Sequence, residues 1–260
     1  MVAAGIDSGL SSTKVVVLRE GNVLAEVVVR ADVESAAQLA ERSLELAISQ
    51  AMLSRQDIQY IVACGRSGHY IPFANEVIPE FMCLTRGIGR ILPSVRTILD
   101  IGAEKSLAVK CSQGKAINMA KNDKCAAGTG TYLDMVSKLL AVPIDRMGEL
   151  SLHSKQEVEV ASTCAIFAES EIISLLHSKN EPQDILRGVY HGLAVRIYPL
   201  LAQVGIQKDV AMVGGLALDI GMRKAVEQQL GLEVSIPDNP LVVNAMGAAV
   251  LAEEKMRSSL

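Results

Sequence analysis

Two aspartates that end apolar runs are each followed two residues later by glycine. Asp7 lies in GIDSGLSSTK and Asp100 lies in ILDIGAEKS. A glycine turn between two strands lets backbone N–H groups approach phosphate oxygens closely. Phosphates carry Mg²⁺, which prefers carboxylate ligands, often through water. The two motifs therefore predict phosphate-binding turns in which Asp7 and Asp100 serve a magnesium ion, although a single Asp-x-Gly is commonly an ordinary hairpin turn.

Further polar and glycine residues follow these aspartates. A later pair, Gly214 and Gly215, stands between an apolar run and a helical pattern, where an adenine ring could lie on the backbone. Three glycine motifs in this order favour a nucleotide site over three unrelated turns. The remaining candidate nucleotide contacts are Gly9, Leu10, Ser11, Ser12, Thr13, Lys14, Gly102, Ala103 and Asn244.

Two of the five cysteines precede predicted helices. Cys125 lies in KNDKCAAGTGTYLD and Cys164 in ASTCAIFAESEIISLL, after the good N-cap residues Ser162 and Thr163. A helix N-terminus lowers the pKa of a thiol and favours nearby negative charge. A thiolate nucleophile and a thiolate-bound iron–sulfur cluster both fit this position.

The positions of the histidines and the spacing of the cysteines bear on the choice between a nucleophile, a zinc site and an iron–sulfur cluster, but they do not decide it. No motif places any of the four histidines beside Cys125 or Cys164, and no pair has the spacing typical of zinc ligands. A [4Fe–4S] cluster normally takes four thiolates, so two chains with two cysteines each would supply it. Buried cysteines without chemistry remain the simpler alternative, and it is the interpretation given to Cys64, Cys83 and Cys111.

Composition excludes several classes of protein. The chain has 260 residues, a hydrophobic fraction of 50% and a net charge of −4, which indicates an α/β globule without an electrostatic footprint for nucleic acid. No apolar run approaches the roughly 18 residues of a membrane span, and MVAAGIDSGL lacks the basic start of a signal peptide. We expect a cytoplasmic protein with reduced thiols and no membrane partner.

Strand and helix patterns alternate along the chain. The first 30 residues predict a three-stranded meander, and a second meander is predicted from Val95 to Ala120. The first helix should bury one face, formed by Ala36, Leu39, Ala40, Leu46 and Ala47. Further predictions are a buried strand at 58–65, helices at 131–140, 165–178, 183–204 and 219–230, strands at 210–215 and 232–236, and a final helix from about 244.

The two meanders share one order of features: strand, Asp-x-Gly turn, polar residues, strand. Asp7 and Asp100 lie 93 positions apart. This repeat predicts a duplicated unit, with two similar halves facing each other across a cleft. We expect the first half to span residues 1–94, with the C-terminal helix at about 245–260 packing back on it, and the second half, which carries the cluster cysteines, to span 95–244.

The ordered glycine motifs resemble those of the actin–Hsp70–sugar kinase ATPase superfamily. NDKCAAGTG together with STCAIFAESE is similar to the paired signature of the ATPase activators of 2-hydroxyacyl-CoA dehydratases and of benzoyl-CoA reductase ATPase subunits. GIDSGLSSTK, ILDIG, MVGGLA and GAAVLA follow the same order as in that family. The resemblance implies an α/β, actin-like ATPase fold of two ribonuclease-H-like halves around a nucleotide cleft.

The resemblance also implies a function. A dimer would hold one [4Fe–4S] cluster, with Cys125 and Cys164 as the ligands from each chain, and would use ATP, ADP and Mg²⁺ to inject a low-potential electron into a partner. The expected partners are a second ATPase chain (identical or a paralogue), an iron–sulfur dehydratase or reductase acting on acyl-CoA, and ferredoxin or flavodoxin as donor. A small-molecule kinase of the same superfamily and a nucleotide or redox sensor remain alternatives.

One departure from the family concerns the second turn. Many activators read Asp-Ile-Gly-Gly-Gln there, whereas this chain reads DIGAEK, with Ala103 and Glu104. A glutamine at that position could orient the attacking water, and Glu104 could either replace it as a base or slow hydrolysis. The catalytic candidates are therefore Asp7, Asp100 and Glu104.

Overall fold

The structure is a computed structural model that describes residues 1–122, 130–156, 158–160 and 165–258. Cys125 and Cys164 lie outside these ranges. The strands are β1 (Val2–Ser8), β2 (Ser12–Arg19), β3 (Asn22–Arg30), β4 (Tyr60–Cys64), β5 (Glu76–Val77), β6 (Thr97–Ile101), β7 (Ser106–Ser112), β8 (Lys115–Asn122), β9 (Val210–Val213) and β10 (Val234–Ser235). The helices are α1 (Ala36–Gln50), α2 (Glu80–Ile91), α3 (Gly130–Leu140), α4 (Ile144–Ser151), α5 (Ala165–His177), α6 (Pro182–Val204), α7 (Ile220–Leu230) and α8 (Val243–Ser258).

The first sheet has the order β3-β2-β1-β4-β5. Strand β1 pairs with β2 in antiparallel register, which places Asp7 opposite Lys14. On its other side β1 pairs with β4 in parallel, which places Asp7 opposite Cys64. The first predicted phosphate turn therefore leaves the centre of a sheet, where pairing on both sides fixes the end of β1.

The second sheet has the order β10-β9-β6-β7-β8. Strand β6 is antiparallel to β7 and parallel to β9, with Asp100 opposite Val213. The order matches that of the first sheet when β6 is placed on β1 and β9 on β4. The predicted α/β fold with two similar halves is confirmed by this shared topology.

The contacts divide the chain into two compact units. One comprises Met1–Val95, Cys111–Ile117 and Leu241–Leu260, and the other comprises Arg96–Lys110 and Asn118–Pro240. Helix α8 packs in the first unit, where its alanines contact β1, β2 and β4. Close approach to α2 occurs at Gly247, where an added Cβ would meet the carbonyl oxygen of Cys83.

Helix α1 covers the other face of the first sheet. It begins at a capping box in which Ser35 and Gln38 satisfy each other's backbone N–H groups. Its buried residues recur at helical spacing and include Leu39, Leu44 and Ala47. The prediction that Leu46 lies on this face is wrong: its side chain is 48% exposed, because it stands two positions from Leu44 and so points away from the sheet.

The core of the second unit is built around α6. Buried residues of α6 pack with Tyr132, Leu133, Val136 and Leu140 of α3 and with Met212 of β9. The predicted helices at 131–140, 165–178, 183–204 and 219–230 are confirmed to within a residue or two at each end. Within the described ranges no helix combines the length and the apolar character needed to cross a bilayer.

Candidate functional site

The first turn joins β1 to β2 around the Asp7 carboxylate. Asp7 is only 4% exposed, and its Oδ2 lies 3.3 Å from the Nζ of Lys14. The Gly9 N–H donates to the carbonyl of Ser12 at 3.1 Å and closes the turn, while Leu10 and Ser11 stand exposed at its tip. A buried carboxylate is thus held beside a lysine at the base of an exposed turn.

Two hydroxyl groups lie buried at the base of the same turn. Ser8 and Thr13 are cross-strand partners in β1 and β2. Within the described part of the chain, Ser8 Oγ and Thr13 Oγ1 have no hydrogen-bond partner. A buried hydroxyl without a partner costs about 1–3 kcal/mol, so it is usually satisfied by water or by a ligand. These hydroxyls fit a ligand with polar oxygens, such as a phosphate.

A glycine that the sequence analysis did not select lies against Asp7. Gly65 follows β4 and has a φ of +84°, a backbone conformation that residues other than glycine rarely adopt. A Cβ at this position would lie 2.4 Å from Asp7 Oδ1 and 2.6 Å from the carbonyl oxygen of Ser8. Only glycine leaves room for the carboxylate here.

The second turn joins β6 to β7 in the other unit. Asp100 is the penultimate residue of β6 and is 5% exposed, and the Gly102 N–H donates to the carbonyl of Lys105 at 2.9 Å. Ala103 and Glu104 are half-buried within this turn. The local arrangement, with a buried Asp at a strand end before a closed turn, repeats that of Asp7.

Gly214 repeats the role of Gly65. It follows β9 with a φ of +83°, and an added Cβ would lie 2.5 Å from both Asp100 Oδ1 and the carbonyl oxygen of Ile101. Each predicted phosphate turn therefore has one aspartate and one glycine from the neighbouring parallel strand. The order strand-then-glycine in IVACG and AMVGG is the signal that could have identified Gly65 from the sequence.

Gly215 and the residues after it lead into α7. No atom would lie within 4 Å of a Cβ at Gly215, so the backbone there is open to a ligand. Asp219 caps α7 by accepting from the Met222 N–H at 3.0 Å, and it also accepts from the Tyr190 hydroxyl at 2.6 Å. Burial raises the pKa of the Asp219 carboxyl, although the hydrogen bonds from Tyr190 and two backbone N–H groups oppose that rise.

The start of α3 is bonded directly to the second turn. The Gly130 N–H donates to the carbonyl of Gly102 at 3.0 Å, and the Thr131 N–H donates to the carbonyl of Ala103 at 2.9 Å. These two donors belong to the first turn of the helix, which has no intrahelical acceptors for them. A displacement of Gly102 and Ala103 would therefore be transmitted to α3.

Lys155, Gln156 and Val158, which precede Cys164 in the sequence, contact α6. The Asp184 carboxylate accepts from the N–H groups of Lys155 and Gln156 at 2.7 and 3.1 Å. A little further on, Val158 crosses α6 at Gly188, where an added Cβ would lie 2.1 Å from the Val158 carbonyl oxygen. The approach of this segment is therefore fixed by a carboxylate and a glycine of one helix.

The remaining predicted residues fall into three groups. Asn244 lies buried in the first turn of α8, in the unit that holds Asp7. Cys64, Cys83 and Cys111 are buried, and their interpretation as structural cysteines stays a prediction. The predicted cluster ligands are not described; among the described residues, no group of three or more His, Cys, Asp or Glu side chains could hold a metal ion.

Sequence relatives cover almost the whole chain. Residues 4–252 match the BadF/BadG/BcrA/BcrD ATPase family. The chain is 35% identical to the 2-hydroxyisocaproyl-CoA dehydratase activator of Clostridioides difficile, covering 100% of this chain and 97% of the relative. It is 37% identical to the activator of lactoyl-CoA dehydratase of Anaerotignum propionicum (98% of each) and 30% identical to one of the benzoyl-CoA reductase subunits of Thauera aromatica (96% and 92%).

Solved structures show the same similarity. The Clostridium difficile activator of 2-hydroxyisocaproyl-CoA dehydratase with bound ADPNP has a TM-score of 0.93 at 34% identity, covering 100% of this chain and 97% of that one. Component A of the Acidaminococcus fermentans (R)-2-hydroxyglutaryl-CoA dehydratase has a TM-score of 0.95 at 33% identity, covering 99% of each chain. The predicted actin-like ATPase fold and the predicted family resemblance are confirmed by these comparisons.

Proposed function

Because the chain belongs to the BadF/BadG/BcrA/BcrD ATPase family, we propose that it is an ATP-dependent activator that transfers electrons to a partner iron–sulfur enzyme acting on an acyl-CoA. The observation that carries this proposal is the end-to-end similarity to two dehydratase activators, at 35% and 37% identity. The partner would be a 2-hydroxyacyl-CoA dehydratase or an enzyme of the benzoyl-CoA reductase type. Ferredoxin or flavodoxin would supply the electron.

ATP and ADP would bind at the two aspartate turns. The ADPNP bound to one structural neighbour supports this assignment, as do the buried hydroxyls of Ser8 and Thr13. Asp7 and Asp100 would hold Mg²⁺ together with phosphate oxygens and water, a ligand set that needs no dedicated cage of side chains. Glu104 would act as the base on the attacking water.

The backbone of the turns and the adjacent glycines would make the remaining nucleotide contacts. Lys14 would offer a positive charge to the phosphates. In the structure its ion pair with Asp7 holds the ammonium group at the turn. Gly214 and Gly215 would lie under the adenine, where the open backbone at Gly215 leaves space. The other proposed contacts are Gly9, Leu10, Ser11, Ser12, Thr13, Gly102, Ala103 and Asn244.

Cys125 and Cys164 of two chains would hold one [4Fe–4S] cluster, and such a cluster supplies a single low-potential electron when it is bound. The sequence places Cys125 five residues before α3 and Cys164 directly before α5, and the start of a helix favours the negative charge of a thiolate-bound cluster. The second chain would be a copy of this chain or a paralogue.

The coupling between ATP and the electron would run through α3. Gly102 and Ala103 belong to the turn that would feel the phosphates, and they accept the first two N–H groups of α3. ATP would change the orientation of α3 only if the two arrangements bind nucleotide with different affinity.

The test is the iron content of anaerobically purified protein. We expect about four iron atoms per two chains, and loss of the iron in Cys125→Ser and in Cys164→Ser. Cys111→Ser is the matched control and should keep the iron, because Cys111 is a buried thiol of the first unit. Four iron atoms in an isolated monomer, or full iron in Cys125→Ser, would overturn the shared cluster.

A further inference from the structure

A carboxylate that none of the motifs predicted lies beside Asn244. Glu80 is the first residue of α2, and its Oε1 accepts a hydrogen bond from Asn244 Nδ2 at 3.3 Å. Asn244 is buried in the first turn of α8. Glu80 and Asn244 therefore join the starts of two helices that pack against each other in the first unit.

Cys64 connects this pair to Asp7. Cys64 is the register partner of Asp7 in the neighbouring strand, and its Sγ lies 3.9 Å from the carbonyl oxygen of Asn244. Contact with Cys83 and burial raise the pKa of the Cys64 thiol, and the negative charges of Asp7 and Glu80 raise it further. Both carboxylates thus act on one buried thiol at the base of the first turn.

A second carboxylate near Asp7 would be unfavourable unless its charge were stabilised. The N-terminus of α2 does this for Glu80, because Glu80 lies in the first turn of that helix. The amide hydrogens of Asn244 provide a second stabilising contact. An ionised carboxylate can only accept hydrogen bonds, so Glu80 binds the NH₂ group of the Asn244 amide. The Asn244 side-chain oxygen therefore points away from Glu80.

We propose that Glu80 is a positioning residue of the nucleotide reaction: it fixes the Asn244 amide so that its side-chain oxygen is the end that meets a hydrogen-bond donor of the magnesium–nucleotide complex. The inference rests on the proposed function and adds a residue to it. Glu80 acts through Asn244 and does not itself contact the nucleotide. Loss of either residue should therefore have the same consequence as loss of both.

The experiment measures ATP hydrolysis by the full chain, purified anaerobically, as kcat and KM for MgATP and as the Mg²⁺ dependence of each. We expect Glu80→Leu and Asn244→Ala each to lower kcat/KM by about tenfold, and the double variant to lower it by the same factor, because coupled residues are not additive. Glu80→Gln retains an acceptor for the Asn244 amide and should recover most of that loss. Glu76→Leu is the matched control, since Glu76 pairs with Lys255 at the surface of the same unit.

If Glu80→Leu fails to fold, the hydrogen-bond donor and acceptor can instead be exchanged between Glu80 and Asn244. Asn244→Asp places two carboxylates together and should lose activity, and adding Glu80→Gln should restore it, because the glutamine amide can then donate to the new carboxylate. Additive losses in Glu80→Leu with Asn244→Ala, or no recovery in the exchanged pair, would overturn the inference. A wild-type chain that binds no ATP would instead overturn the proposed function.

Discussion

Gly65 has no side chain, yet it determines how the Asp7 carboxylate is placed. The parallel pairing of β4 with β1 brings Gly65 next to Asp7, and its positive φ and the lack of a Cβ leave room for Asp7 Oδ1. The Asp-x-Gly pattern allowed Asp7 and its turn to be selected from the sequence. Gly65 was not selected, because one glycine after a strand does not reveal which backbone lies against it. Only the repetition of the strand-then-glycine order in IVACG and AMVGG offered a signal.

Gly65→Ala tests this close approach. We expect the new methyl group to displace the Asp7 carboxylate and to lower magnesium-dependent ATP hydrolysis by about tenfold or more, since small displacements of a positioned group are costly. The positive φ adds strain of roughly 1 kcal/mol. Steady-state hydrolysis and thermal unfolding would be measured together.

Gly68→Ala is the control for Gly65→Ala. A Cβ at Gly68 would meet a Val77 methyl group at 3.5 Å, an ordinary contact distance, and its φ is not in the left-handed region. We expect near-normal hydrolysis in this variant. Normal hydrolysis in Gly65→Ala as well would show that Asp7 does not serve the reaction.

Asp184 makes the stability of the second unit depend on pH. Burial raises the pKa of its carboxyl, but hydrogen bonds from the N–H groups of Gln156 and Lys155 outweigh burial and hold the pKa below its ordinary value. A lowered pKa in the folded state stabilises the fold above the unfolded-state pKa, near 4, and this contribution is lost as the pH falls through the folded-state value.

Asp184→Asn should therefore be less stable than the wild type at pH 7. The difference should begin to narrow below about pH 4 and should close as the pH falls through the lowered folded-state pKa, below which the carboxyl is protonated in both states. Urea unfolding of both proteins at a series of pH values measures this difference. A difference that does not change with pH would mean that the charge of Asp184 does not stabilise the segment.

At the scale of elements, periodicity predicted six of the eight described helices and missed α2 and α4. Helix α2 carries Gly87 and Gly89, which lower its helix propensity, and α4 is only eight residues long. Both follow a proline, Pro79 and Pro143, which was the available signal for a helix start. Tertiary packing stabilises these helices more than their own propensity does.

The bonds between α3 and the second turn can be tested by removing one N–H. Thr131→Pro deletes the donor to Ala103 in the first turn of a helix, where proline is tolerated. We expect ATP hydrolysis to persist within a few-fold. The difference in iron-chelation rate between the ADP state and the state with a non-hydrolysable ATP analogue should be lost.

Thr131→Ala keeps the N–H and provides the control at the same position. It should show the same nucleotide-dependent difference in chelation rate as the wild type. If Thr131→Pro also keeps the full difference, α3 does not receive the nucleotide signal through this bond, and the proposed coupling path is wrong.

Helix α6 offers a matched pair of glycines for testing the segment before Cys164. Gly188→Ala would place a Cβ 2.1 Å from the Val158 carbonyl oxygen, so the segment must move, whereas at Gly192 the corresponding distance to Val160 is 3.0 Å. We expect Gly188→Ala to lose more than about half of its iron and Gly192→Ala to keep most of it, with helix content unchanged because alanine favours helix. Full iron in Gly188→Ala would show that the segment does not position Cys164.

At the scale of the whole molecule, the two sheets follow the same strand order. The shared order of strand, Asp-x-Gly turn, polar residues and strand was enough to predict the duplication, because the turns at Asp7 and Asp100 keep the same residue types. The boundary between the units was harder to read. Cys111–Ile117 contacts the first unit although its neighbours on both sides belong to the second, and such contacts have no local sequence pattern.

Helix α8 gives the molecule an order of assembly during synthesis. The second unit contains no residue beyond Pro240, so all of its chain has been synthesised before α8 is made. The first unit begins with Met1, but Ala3 and Gly5 of its central strand are not covered until α8 packs against them. The half that is translated first should therefore be the half that matures last, and its sheet should exchange amide hydrogens, and be open to chaperones, for as long as α8 is missing.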